Sequence, residues 1–136
     1  MDIETNRKDV KMVLINKKNH KVIIKDVWRA GSFSARHLGL IGKRSFSEKA
    51  LAIPKCSQVH TFFMRFPIDI LFMDKQNIVV GKQVGLKPWR LSARVKGAAY
   101  VIEAEAGSFG DDIVINGDQV VILIPDDQKQ TKEGSA

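Results

Sequence analysis

A single cysteine, Cys56, is the whole thiol content of this chain, so no internal disulfide can form and a disulfide-stapled fold is excluded. Long apolar runs are missing as well: none approaches the roughly 20 residues that cross a bilayer as a helix. The opening MDIETNRKDVK lacks the apolar centre of a signal peptide, and a cytoplasmic location is the expectation. Histidine is scarce, with His20, His37 and His60 only. Structural zinc needs four ligands and catalytic zinc about three, so this pool is too thin for a metal site, and no cofactor is expected. Zinc-finger spacing, a helix-turn-helix pattern and the Gly-flanked aromatic motif of RNA-binding sheets are all lacking. Internal repeats and low-complexity tracts are lacking too.

What is present suits an ordinary soluble domain. The chain has 136 residues, 44% hydrophobic and 27% charged, with a mean hydropathy of −0.12. That length fits one domain with one core. Its net charge of +7 is unevenly spread: residues 1–25 carry 7 basic and 3 acidic groups, 26–96 carry 13 and 4, and 97–136 carry 2 and 8. A basic middle beside an acidic end can steer an anionic partner. Without a nucleic-acid motif, the charge points to a small anionic ligand or a protein partner. Nothing calls for more than a monomer.

Residues 1–10 and 126–136 hold too little apolar content to pack and read as flexible ends, leaving a domain over 11–125. MVLI (12–15) and VIIKDV (22–27) are β-branched runs that predict a hairpin turning at Asn16 to Asn19. SFSARHLGLIGK (32–43) has an N-cap serine, apolar residues at helical spacing and Gly42 as a stop, predicting one short helix. ALAI (50–53) and a segment starting at Val59 to Phe63 predict strands. IDILFMD (68–74) and IVVGKQV (78–84) form a second hairpin about Asp74 to Asn77. YVIEAE (100–105) alternates, placing Val101, Glu103 and Glu105 on one face. After a turn at NGD (116–118), QVVILIP gives the last strand. With seven or eight short strands and no crossover helices, the expected fold is mainly β: a small antiparallel barrel or sandwich with one short helix.

The stretch HTFFMRFPIDILFMD (60–74) sets Arg65 and Asp69 in an otherwise apolar run. If it were one continuous strand, the two would share a face about 13 Å apart, too far to pair directly. Asp69 could then cap loop N–H groups and Arg65 pair with Glu103 or Glu105, or both could line a polar pocket at a barrel mouth. His60 follows Cys56 by four residues, and an imidazole near a thiol can generate thiolate. In LKPWRLSAR, Trp89 beside Arg90, with Arg94 further on, could stack on and pair with an anionic or aromatic ligand.

Taken in order, RHLGLIGKRSF, PKCSQVHTFFMRFPIDILFMD, LKPWR, YVIEAEAGS and INGDQVVI resemble the blocks of the DUF192 family of small proteins, also called UPF0127. The resemblance covers about residues 20–124 and implies a compact β-rich barrel of jelly-roll-like character. It implies no settled activity. Many members of the family look exported or anchored, whereas this sequence shows neither feature. The sequence therefore supports a non-enzymatic ligand- or protein-binding β-barrel with candidate binding residues His60, Arg65, Asp69, Trp89 and Arg90. The alternative is a small hydrolase-like or metal-assisted enzyme using Cys56, His60 and Asp69.

Overall fold

A computed structural model describes residues 3–4, 11–31 and 40–125. Its strands are β1 (Ile3–Glu4), β2 (Met12–Asn16), β3 (Lys21–Ala30), β4 (Lys49–Pro54), β5 (Ile68–Met73), β6 (Val79–Leu86), β7 (Tyr100–Glu105) and β8 (Val120–Leu123). Seven lie in one sheet in the order β6-β5-β7-β4-β3-β2-β8, and β1 pairs with the end of β3. The sheet is mixed, which corrects the expectation of an antiparallel one. β3 and β4 run parallel, with Val27 beside Ala50 and Trp28 beside Leu51, while the other neighbours are antiparallel.

The sheet curls into a half-barrel. An isolated bridge between Ile78 and Gln119 draws its two ends together, supported by Val79 N–H donating to Asp118 O at 2.9 Å. Inside the curl lie Leu14, Val27, Ala50, Ala52, Leu71, Met73, Ile102, Ala104 and Phe109. A second apolar layer covers the outer face of β4, β7 and β5 with Leu51, Ile53, Ile68, Ile70, Phe72 and Val101, under Phe46, Val59, Met64 and Phe66 from the flanking loops. Sandwiched between two layers, all six residues of β5 are buried. This explains its near-continuous apolar reading, since a strand covered on both faces has no polar side to alternate with.

Both hairpins form as read. The β5–β6 turn is held by Asp74 Oδ1, which accepts from Gln76 N–H at 2.8 Å and Ile78 N–H at 2.9 Å. Among the described residues there is no helix. The helix expected over 32–43 lies mostly in 32–39, outside the described residues, and 40–42 form a turn. Of the ends expected to be flexible, Ile3 and Glu4 pair with β3, and the rest lie outside the described residues. The strand expected from Val59 to Phe63 reduces to one bridge, His60 with Leu91. There the chain turns, with Phe63 at φ 65°, and β5 starts only at Ile68.

Candidate functional site

One end of the half-barrel is closed by the loop 106–119, and two buried carboxylates hold it there. Asp69 projects from β5 on the inner side, opposite Ala104. Its Oδ2 accepts from Gly107 N–H and Phe109 N–H, both at 2.9 Å, and its Oδ1 from Gly85 N–H at 2.9 Å. Gly85 and Gly107 have φ +64° and +99°, left-handed values that glycine adopts without a Cβ clash. Their N–H groups can therefore turn inward at this point. Asp118 accepts from Asn16 Nδ2 at 3.0 Å, Ile115 N–H at 3.0 Å and Lys18 Nζ at 3.3 Å. Burial alone would raise its pKa. The three donors and the Lys18 charge outweigh that and hold it below the ordinary 3.8.

Asp69 is thus committed to three backbone donors. Arg65, four residues earlier, is solvent-exposed and makes no ion pair among the described residues. The two do not line one pocket. Nor do the residues of the enzymatic alternative converge. Asp69 faces the inner layer, whereas Cys56 packs on the outer one, its Sγ donating to Gln58 O at 3.2 Å. Among the described residues, no three His, Cys, Asp or Glu side chains gather closely enough to hold a metal ion.

The structure does bring together His60, Trp89 and Arg90. Loops 57–66 and 87–95 run side by side, stitched through buried Thr61 and Ser92. Thr61 N–H donates to Arg90 O (2.8 Å), Trp89 N–H to Thr61 O (2.9 Å), and Thr61 Oγ1 to Lys87 O (2.6 Å). Ser92 N–H donates to Val59 O (2.8 Å), while Ser92 Oγ accepts from Val59 N–H (2.9 Å). On this seam stands a row of rings. His60 stacks on Phe62 with centroids 5.0 Å apart, and its Nδ1 accepts from Phe62 N–H. Trp89 lies 6.2 Å from Phe62 and 4.5 Å from Phe63. Phe63, Trp89 and Leu91 are 62%, 54% and 60% exposed.

Phe63 and Trp89 both hold left-handed backbones, at φ 65° and 67°. For bulky residues this conformation is uncommon and costs of order 1 kcal/mol or more. Sequence reading found His60, Trp89 and Arg90 but missed Phe62, Phe63 and Leu91, because an extended strand would have hidden one phenylalanine in the core. A usable signal was the total lack of acid in 55–68 and 84–99, which together carry Lys55, Arg65, Lys87, Arg90, Arg94 and Lys96.

Glu103 is the other residue the sequence did not single out for its setting. On β7 it lies between Leu51 of β4 and Ile70 of β5, 3% exposed in the outer apolar layer. Among the described residues its carboxyl meets no hydrogen-bond or ion-pair partner. Burial pushes its pKa up to about 8. Glu105, on the same face, accepts from Phe46 N–H at 2.8 Å and so ties down the loop before β4.

Comparisons agree with this architecture. The model of the DUF192 family, described as an uncharacterized ACR, matches residues 13–122. A UPF0127 protein of Pyrococcus horikoshii is 35% identical over 95 residues, covering 62% of this chain and 82% of that protein. One from Pyrococcus furiosus is 32% identical over 98 residues, covering 69% and 84%. Among solved structures, one described as a candidate transcription regulator from Sinorhizobium meliloti 1021 superposes with a TM-score of 0.70 at 18% identity. It spans 90% of this chain and 98% of its own. A protein of unknown function from Novosphingobium aromaticivorans gives 0.68 at 14%, spanning 89% and 93%. At such identities these likenesses speak for the fold alone. The chain belongs to the DUF192, or UPF0127, family.

Proposed function

We propose that this protein is a non-enzymatic binding module whose docking face is the ring row His60, Phe62, Phe63 and Trp89, and whose partner is an acidic protein segment with apolar anchors. The observation that carries this is the paired strain at Phe63 and Trp89, which keeps two aromatic rings at the surface 4.5 Å apart. Backbone strain at exposed rings is retained when the rings have something to meet. Exposed aromatics with arginine are the side chains that dominate binding energy at protein interfaces. Six cations and no acid in the two loop segments favour an anionic partner. The row protrudes. Small-molecule sites are concave, so this face suits a peptide segment better than a small anion.

Selection from a displayed random-peptide library tests the reading. Enriched peptides should combine Asp or Glu with aromatic or aliphatic residues, and their binding should fall at least tenfold with Trp89→Gly. Because glycine suits the φ of 67°, that variant should keep its urea midpoint. Enrichment of neutral or basic peptides, or binding indifferent to Trp89→Gly, would overturn the proposal. So would enrichment of none.

A further inference from the structure

Among the described residues, the half-barrel is stoppered at one end only. At the other, where β3, β4 and β8 finish and β7 begins, a cleft of about 530 Å³ opens, within the size range of small-molecule sites. Its lining is divided in character. On one rim stand Arg29, the last residue but one of β3, and Lys55, just past the end of β4. Val121, Ile122 and Leu123 of β8 form an apolar wall. Pro54, Ala99, Tyr100 and Asn77 complete the lining, and Tyr100 OH donates to Asn77 Oδ1 at 2.6 Å.

Arg29 points into the curl, since its register partner Ala52 belongs to the inner layer. It makes no ion pair among the described residues. The cleft itself is lined by no carboxylate. An arginine aimed at a barrel mouth, with an apolar wall beside it, has the makings of an anion clamp with a greasy seat. We infer that this open mouth is a second binding site, for a small amphiphile with an anionic head. The head meets Arg29 and Lys55, and the apolar body lies along β8 and the ring of Tyr100.

The Tyr100 hydroxyl stays neutral through the physiological range. Burial, and then the charge of Asp74, push its pKa up to about 12. It therefore remains a donor to Asn77 and adds no negative charge beside the head group. A carboxylate and a phosphate monoester share the head chemistry described, and the probes separate them.

The test is an NMR titration of the full chain with octanoate and with octyl phosphate, against octanol and inorganic phosphate. Saturable shifts at the methyl groups of Val121, Ile122 and Leu123 are expected from at least one octyl anion. The tighter of the two identifies the head group. Octanol and inorganic phosphate should each bind at least tenfold more weakly, as each supplies only half of the recognition. Arg29→Gln and Lys55→Asn should each weaken the anion at least threefold. Both positions are exposed, and asparagine tolerates the left-handed φ of 52° at Lys55, so neither change threatens the fold. Trp89→Gly should leave this binding unchanged, which separates the site from the ring row. Octanol binding as tightly as octanoate would overturn the inference. Affinity untouched by either substitution, or shifts outside the cleft, would do the same.

Discussion

Replacing Glu103 by glutamine converts a titrating carboxyl into a neutral group of nearly the same shape, between Leu51 and Ile70. Below pH 4.5 the folded and unfolded chains both hold the proton, and Glu103 contributes no pH dependence. Between 4.5 and about 8 the unfolded chain releases it while the folded chain keeps it. Stability then falls by about 1.4 kcal/mol per pH unit, because the unfolded state binds fewer protons. Across the full window the loss is about 5 kcal/mol, a large share of the 5 to 15 kcal/mol typical of a domain. Above pH 8 both states are ionised and the slope ends. The assay is urea unfolding of the native chain and Glu103→Gln at pH 5, 6, 7 and 8. Groups common to both proteins cancel in the difference. The two should be close in stability at pH 5, with the variant more stable by several kcal/mol at pH 8. Parallel profiles over that range would refute the reasoning, since a carboxyl that titrates alike in both states is not held in an apolar layer.

Other outcomes follow from the same geometry. Asp69→Asn replaces one acceptor oxygen with an NH₂ that must face backbone N–H donors, so a loss of about 3 kcal/mol or more is expected in urea unfolding. Arg65→Gln, at an exposed position, should stay within about 0.5 kcal/mol of the native value. Gly81→Ala would set a Cβ 3.0 and 3.1 Å from the two methyl carbons of Val95, over the outer layer. Because Val95 N–H is tied to Ser57 O at 2.9 Å, the loop can give little, and thermal or urea unfolding should register about 1 to 3 kcal/mol of destabilisation.

Much of the sheet was legible because its strands obey local rules. YVIEAE alternates and forms a strand over those six residues, and DKQN supplies the Asp74 side chain that its turn requires. The parallel partnership of β3 and β4 was not legible. It depends on where the chain returns after a connection of 18 residues, which no local pattern encodes. The end of the strand-like run was also hidden. Val59 to Phe63 has the composition of a strand, yet its backbone bonds go to Arg90, Trp89 and Ser92, donors and acceptors some 30 residues away.

Asp69 and Glu103 show why the candidate site was harder to read than the sheet. Each is a carboxyl in a largely apolar strand, Asp69 alone in β5 and Glu103 two residues before Glu105 in β7, and nothing in the local sequence tells their settings apart. What separates them is the company brought by distant segments. Donors 16, 38 and 40 residues from Asp69 converge on its oxygens, and two of them are glycines whose left-handed backbones aim the N–H groups inward. Glu103 projects from the opposite face of the sheet, where the flanking loops deliver Phe46, Val59, Met64 and Phe66 instead of donors. Saturated by three backbone donors, Asp69 acts as a staple for one end of the half-barrel. Glu103, buried among apolar groups, is neutral at pH 7 in the folded chain. The inner-side carboxylates therefore serve closure, while Arg29 at the open mouth and Arg90 beside the ring row stand on the two faces proposed for binding.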